Sequence, residues 1–223
     1  MFRSLLDLIA PQRCAECSAP ESLWCPECRS SLRGSRVELH SGVRLSAVAH
    51  AEPAMMRAIS RWKDHSQRGF LPLFAEMVAR QIAVMHPSEA IDIVTIPTRR
   101  SKARSRGFEP MPQLARKVAA VRPDLWNFSA GAIEWTRTPH EQRGLSDSAR
   151  RANLQGAMRL AAPLNRPVVL LDDVVTSGAT ISEALDVLGR ETHQGLSAVV
   201  LAVPRKVLSQ DLVKSVAKAP HAV

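Results

Sequence analysis

The chain has 223 residues, enough for one substantial hydrophobic core and a small additional module. Its 30 Lys and Arg against 21 Asp and Glu give a net charge of +9, which favours anionic partners such as nucleic acid or phosphorylated small molecules, although a basic protein without such a target is the alternative. No stretch approaches the roughly 20 unbroken apolar residues of a membrane helix, so we expect no insertion into a membrane.

The first segment of the chain is predicted to form a short amphipathic helix. Its apolar residues fall on or near one helical face: Phe2, Leu5, Leu6 and Ile9. The apolar stretch is interrupted by Asp7, and no small-residue cleavage site follows before Cys14, so the segment does not have the pattern of a signal peptide. We therefore expect a cytoplasmic protein.

All four cysteines lie in this N-terminal part of the chain, as two CxxC pairs separated by seven residues. They are Cys14, Cys17, Cys25 and Cys28. Two such turns can supply the four thiolates of a closed, structural zinc site. A pair of disulfides is disfavoured in the cytoplasm, and a redox CxxC normally lies on a larger fold. We predict a zinc-ribbon-like module over residues 1–36, followed by a second domain over residues 37–223.

The second domain has an α/β pattern, in which short apolar runs alternate with helical patterns. The predicted strands are residues 43–49, 91–96, 130–135, 168–171 and 196–203. The predicted helices are residues 53–63, 70–85, 112–121 and 179–189. This alternation predicts a mostly parallel sheet with helices on both faces, in which ligands bind at the carboxyl ends of the strands.

An aromatic residue, Trp62, precedes Lys63 at the end of the first predicted helix, near several other basic residues. A tryptophan beside cations can stack on a nucleic-acid base. Tryptophan at helical spacing more often belongs to the core, and we predict a core position for Trp62.

A basic loop follows the strand that ends at Pro97. Its cations are Arg99, Arg100, Lys102, Arg104 and Arg106. Five like charges this close repel one another unless an anion or solvent screens them. We expect at least one of them to contact a ligand, either a phosphate group or a nucleic-acid backbone; a solvated surface loop is the alternative.

The most specific pattern is a buried strand over residues 168–171 that runs into Asp172 and Asp173 and then into a short polar turn. The turn residues are Thr176, Ser177, Gly178, Ala179 and Thr180. Two adjacent carboxylates can accept hydrogen bonds from vicinal hydroxyls, while the glycine and the following helix N-terminus suit an anion. The pattern therefore predicts a site for a sugar monophosphate, and a simple helix N-cap is the alternative.

This string, LLDDVVTSGATISEA, resembles the phosphoribosyl pyrophosphate (PRPP) motif of type I phosphoribosyltransferases. The resemblance implies that Asp172 and Asp173 contact the ribose hydroxyls and that residues 176–180 wrap the 5′-phosphate. It also implies a type I phosphoribosyltransferase-like fold, with magnesium bridging pyrophosphate and ribose oxygens while pyrophosphate is displaced from the anomeric carbon.

A short N-terminal helix, the two CxxC pairs and a phosphoribosyltransferase-like domain together resemble the competence protein F (ComF, GntX-like) family. A polar segment that includes Arg137, Gln142, Arg150 and Asn153 is similar to one in that family. By this resemblance, Arg99 or Arg100 borders the pyrophosphate position, and residues 138–153 form a mobile cover from which Arg150 or Arg151 reaches the phosphates. A surface helix with internally paired arginines is the alternative for this segment.

Two functions follow from these patterns. One is an enzyme that transfers a phosphoribosyl group from PRPP, with magnesium, to an unidentified nucleophile. The other, which the family resemblance implies, is a DNA-uptake protein that binds single-stranded DNA beside a helicase partner, with or without turnover. A transcription regulator on the same scaffold is disfavoured, because the sequence has no recognisable helix-turn-helix.

Overall fold

The structure is a computed structural model, which describes residues 12–39, 41–99, 104, 106–137, 146–176, 178–191, 195–205 and 213–217. The predicted N-terminal amphipathic helix lies outside these residues. Among the helices of the described ranges, none has both the length and the apolar composition needed to cross a bilayer.

A seven-stranded sheet forms the centre of the protein, with the strand order β4-β3-β7-β8-β2-β1-β9. The strands are β1 (Ser35–Leu39), β2 (Arg44–His50), β3 (Ile91–Thr95), β4 (Trp126–Phe128), β5 (Ile133–Trp135), β6 (Met158–Leu160), β7 (Val168–Val174), β8 (Leu196–Val203) and β9 (Val213–Ala217). Strands β4, β3, β7, β8 and β2 pair in parallel, whereas β1 pairs antiparallel with both β2 and β9. Strands β5 and β6 form a separate antiparallel pair.

The described helices cover both faces of this sheet. They are α1 (Pro26–Ser30), α2 (Pro53–Asp64), α3 (Phe70–Met85), α4 (Pro110–Ala119), α5 (Asp147–Leu154) and α6 (Ala179–Glu191). One hydrophobic core joins α2, α3 and α4 to one face of the sheet, and a second core joins α6 and the β5-β6 pair to the other face. Alternating residues of β7 enter the two cores, as Val169 and Leu171 in the first and Val168 and Leu170 in the second.

The cysteine segment packs directly against the larger core. Trp24 is 1% exposed, and its ring lies edge-on to that of Phe74 in α3, with the centroids 6.4 Å apart. The Arg57 side chain of α2 donates a hydrogen bond to the Ala15 carbonyl at 2.9 Å. The division predicted at residue 36 falls within strand β1, because Ser35–Leu39 already belongs to the large sheet.

The predicted fold class is confirmed, with a mostly parallel sheet between two layers of helices. Several element boundaries differ from the prediction by one to three residues, and two of these differences bear on the site. Helix α4 begins at Pro110 rather than at residue 112, since proline is well suited to the first helical position. Strand β7 extends to Val174, so Asp172 and Asp173 lie on the strand itself and not in the loop after it.

Candidate functional site

A cavity of about 760 Å³ opens at the carboxyl ends of β3 and β7, the two adjacent parallel strands near the middle of the sheet. Many of the residues predicted from the sequence line it: Arg99, Arg106, Arg150, Asp172, Asp173, Thr176, Gly178, Ala179 and Thr180. The sheet thus brings together segments that are separated by up to about 80 residues of sequence. Of the predicted site residues, Arg100 and Ser177 lie outside the described part of the chain.

The two carboxylates face different neighbours because successive residues of a strand point to opposite faces of a sheet. Asp173 lies on the face covered by α2, where the Lys63 ammonium donates a hydrogen bond to its Oδ2 atom. The Asp173 backbone amide donates to Oδ1 of Asp172 at 2.9 Å. Both carboxylates therefore line the cavity, where a cation holds Asp173 and a backbone amide holds Asp172.

These different surroundings separate the acidities of the two groups. Desolvation, followed by the nearby charge of Asp173, raises the pKa of Asp172 well above its ordinary value. Desolvation also acts to raise the pKa of Asp173, but the ammonium of Lys63, together with hydrogen bonds from Asp172 and the Val174 backbone, holds that pKa below the ordinary value. Asp173 is therefore the stronger acid of the pair and carries the negative charge first.

The turn after β7 has the backbone geometry expected for close approach to an anion. Gly178 has φ 77°, a left-handed conformation that side chains with a Cβ rarely adopt. Helix α6 begins at Ala179, and the Gly178 carbonyl accepts the Ser182 amide at 2.8 Å in the first turn. The hydroxyls of Thr176 and Thr180 lie at the same cavity. A helix N-terminus presents free amides and a positive dipole end, so this turn is suited to a phosphate group.

The predicted basic loop divides between the cavity and the protein surface. Arg99 and Arg106 line the cavity, and Arg106 forms a salt bridge of 2.8 Å with Asp64 at the end of α2. Arg104 is exposed to solvent. A carboxylate from α2 therefore holds Arg106 at the cavity, which sequence spacing alone did not indicate.

The polar segment after β5 contributes Arg150 to the cavity from helix α5. The Ser146 hydroxyl caps the helix by accepting the Ala149 amide at 3.3 Å. Arg137 donates to the carbonyls of Asn153 and Gln155 at 2.9 and 3.2 Å, and so ties the two ends of the segment together. Residues 138–145 lie outside the described part of the chain.

Trp62 lies in the core, as predicted: it is fully buried, and its ring is 5.3 Å from that of Phe74. The following residue, Lys63, contacts Asp173 of the acid pair, and we did not predict this contact. The sequence signal available was a basic last turn in α2, which is equally typical of a helix C-terminus facing solvent.

The four cysteine side chains converge, with their sulfur atoms all within 4.8 Å of one another. The Cys14–Cys25 and Cys17–Cys25 sulfur separations are 3.7 and 3.8 Å, so neither pair is a disulfide. A tetrahedral zinc ion with Zn–S bonds of about 2.3 Å has sulfur–sulfur edges of about 3.8 Å. The cluster therefore has the ligand type and spacing that a structural zinc ion requires.

Relatives of the chain are found among curated proteins, although no protein-family model matches it. DNA utilization protein YhgH of Escherichia coli is 25% identical over 191 residues, which cover 79% of this chain and 82% of that protein. Competence protein F of Haemophilus influenzae is 25% identical over 182 residues, which cover 76% of this chain and 75% of that protein.

Solved structures similar to this chain include two phosphoribosyltransferases. A hypoxanthine phosphoribosyltransferase from Staphylococcus aureus has a TM-score of 0.34 and 12% identity, covering 65% of this chain and 69% of that one. An orotate phosphoribosyltransferase from Aeropyrum pernix has a TM-score of 0.36 and 19% identity, covering 85% of this chain and 88% of that one. The chain is a homologue of DNA utilization protein YhgH and of competence protein F, in agreement with the resemblance that its cysteine spacing and its phosphate turn had indicated.

Proposed function

We propose that the chain binds PRPP in the cavity between β3 and β7 and transfers its phosphoribosyl group to an unidentified nucleophile. The observation that carries this proposal is the composition of that cavity: two adjacent carboxylates, a glycine turn at the start of α6, and three arginines. PRPP carries ribose hydroxyls, a 5′-phosphate and a pyrophosphate, and these three groups are suited to the carboxylates, the turn and the arginines, respectively. In this proposal the protein acts in the cytoplasm, where free thiolates persist.

The carboxylates of Asp172 and Asp173 hold the ribose in this proposal. Each accepts a hydrogen bond from a ribose hydroxyl, and the bond to Asp173, the stronger acid, is the stronger of the two because its acceptor is charged. Thr176, Gly178 and Thr180, together with Ser177 and Ala179, surround the 5′-phosphate, and the positive end of α6 faces it. These contacts fix the sugar so that its anomeric carbon faces the opposite wall of the cavity.

The arginines of the loop after β3 that line the cavity, Arg99 and Arg106, bind the pyrophosphate, with Arg100 in the same loop. Magnesium prefers oxygen ligands, and the pyrophosphate and ribose oxygens of PRPP would supply them beside the acid pair. When bound, magnesium neutralises charge on the departing pyrophosphate. The bond from the anomeric carbon to pyrophosphate breaks as the bond from that carbon to the acceptor forms, and pyrophosphate leaves. Arg150 lies over the site in this proposal and helps to exclude water from it.

The carboxylate assignment predicts that Asp173→Asn weakens PRPP binding by roughly tenfold to hundredfold, and that Asp172→Asn weakens it by a smaller factor. The tenfold to hundredfold range corresponds to the loss of one hydrogen bond to a charged group, which contributes about 1.5–3 kcal/mol to binding. Asp172→Asn should leave the melting temperature nearly unchanged, because burial already disfavours the charge of this group. Calorimetry with PRPP and magnesium, beside thermal melting, measures both effects.

The matched control for these variants is Asp186→Asn, which removes an exposed carboxylate from α6. It should bind PRPP as the wild type does. Equal affinity in the wild type and in both cavity variants would show that the carboxylates do not hold the ribose.

The second candidate function is single-stranded DNA binding, as a competence-type DNA-uptake protein working with a helicase partner in the cytoplasm. It is supported by the names of the relatives, which refer to DNA utilization and competence. The exposed cation Arg104, in the basic loop after β3, also supports it. The net charge of +9 favours it as well. Both functions can reside on one protein, with PRPP regulating the binding of DNA.

If Arg104 contacts a phosphate, Arg104→Ala should weaken binding of single-stranded DNA for all sequences alike. Each lost contact should also reduce the slope of log affinity against log salt by about 0.7, because fewer counterions are released. Fluorescence anisotropy over a salt series measures both quantities, and Arg190→Ala, at an exposed position on α6, is the control for net charge. Affinity that does not depend on salt, or an identical loss in both variants, would count against a specific DNA contact at Arg104.

A further inference from the structure

Helix α2 ends at the wall of the cavity, and its last two residues each reach a different side of the site. Lys63 contacts the Asp173 carboxylate of β7, and its neighbour Asp64 forms the salt bridge with Arg106 in the loop after β3. The side chains of Lys63 and Asp173 are only 14% and 21% exposed. The lysine is therefore not a solvated surface residue but part of the cavity wall, 110 residues away in sequence from the group it contacts.

The position of Lys63 is fixed by the packing of the residue before it. Trp62 is fully buried between α2 and α3, so the end of α2 has little freedom to move away from the sheet. Because the helix end is held in this way, the lysine is presented to one carboxylate of the pair. Asp172, one residue earlier on β7, points to the other face and has a backbone amide as its partner.

The ion pair between Lys63 and Asp173 determines much of the charge balance in the cavity. Among the residues that the structure describes, the other charged groups that line the cavity besides Lys63 and the acid pair are Arg99, Arg106 and Arg150. Asp64 already neutralises Arg106 at 2.8 Å. Burial alone disfavours a charged Asp173, and the ammonium of Lys63 is the main group that reverses this effect and keeps the pKa of Asp173 low.

We propose that Lys63 is a positioning residue, which holds the Asp173 carboxylate in place for a ribose hydroxyl of PRPP through their ion pair, and not through a contact of its own with the ligand. This inference rests on the proposed function for its ligand. It assigns the two aspartates unequal roles: Asp173 is the carboxylate held by a side-chain cation, and Asp172 is the one held by a backbone amide.

The first test is a double-mutant cycle on PRPP affinity, measured by calorimetry with magnesium. Lys63→Met should weaken binding roughly tenfold to hundredfold, the range for loss of one hydrogen bond to a charged group. In the Asp173→Asn background, Lys63→Met should alter PRPP affinity by less than about twofold, because the carboxylate through which Lys63 acts on the ligand has already been removed. Lys63→Arg, which keeps the charge, should retain most of the affinity, and Lys117→Met, an exposed position on α4, should bind as the wild type does.

The outcome of the cycle decides between a positioning role and a direct contact. Equal losses from Lys63→Met in the presence and absence of Asp173 would mean that the ammonium binds the ligand itself, and would overturn the proposal. No loss in Lys63→Met would overturn it too. Thermal melting of each variant separates these outcomes from a failure to fold.

The second test needs no ligand and therefore distinguishes this inference from the proposed function. The carboxyl resonance of Asp173 in ¹³C-labelled protein, assigned by its disappearance in Asp173→Asn, is followed by NMR over about pH 4 to 7, above the ordinary aspartate pKa of about 3.9. In the wild type it should stay ionised throughout this range, whereas in Lys63→Met it should titrate within it. An unchanged titration in Lys63→Met would sink the inference even if PRPP binds, and the predicted shift would support it even if PRPP does not.

Discussion

Gly178→Val is expected to reduce PRPP affinity by more than about a hundredfold, the largest effect of any single change at the cavity. Gly178 lines the cavity and has φ 77°, a backbone conformation that a β-branched residue almost never adopts. The valine side chain would also occupy space that the phosphate needs. Both effects act on the turn that presents the amides of α6, so the loss should exceed that of either aspartate variant.

The chain offers a matched control for backbone strain in this experiment. Gly131 also has a left-handed φ, of 70°, and a Cβ added there meets nothing within 4 Å. Gly131→Val should therefore lower the melting temperature through the same strain while leaving PRPP affinity intact. Equal affinity losses in the two glycine variants would mean that strain, and not the phosphate turn, accounts for the result.

Cys17→Ser is expected to release zinc from the purified protein and to lower its melting temperature by roughly 10 °C or more, as for a loss of several kcal/mol in a chain of this size. Cys17 is exposed, so the change removes a ligand without creating a cavity in the core. Its sulfur lies 3.8 Å from that of Cys25. Because Trp24 packs on Phe74, loss of the metal should also weaken the larger core.

Elemental analysis and thermal melting measure this effect, with about one zinc expected per wild-type chain. The control is Ser31→Ala, also in the cysteine segment, whose hydroxyl donates to the Cys28 carbonyl at 2.8 Å. It should keep its zinc. A purified wild-type protein that contains disulfides in place of zinc would rule the metal site out.

The central sheet and the phosphate turn were predictable because their signals are local. The apolar run over residues 168–171 is bounded by two acids, and a glycine with hydroxyl residues opens the next helix, so both the strand and the site follow from one continuous segment. The carboxyl ends of parallel strands meet at one edge, which explains why the loop carrying Arg99 and the phosphate turn share a cavity.

The features that were not predicted depend on contacts distant in sequence. Strand β4 has only three residues, and β1 and β9 are five-residue strands paired antiparallel at one end of the sheet, so none of the three has an apolar run long enough to identify it. The contact between Lys63 and Asp173 follows from how α2 packs on the sheet, and a lysine in a last helical turn gives no indication of its partner. The docking of the cysteine segment through Trp24 is likewise a property of the tertiary fold.

The central claim is that the cavity binds PRPP, and calorimetric titration of the purified full chain with PRPP and magnesium tests it most directly. We expect saturable binding at one site per chain, with affinity weakened by the Asp173→Asn substitution. An absence of binding at millimolar PRPP, with a folded protein that retains its zinc, would contradict the claim.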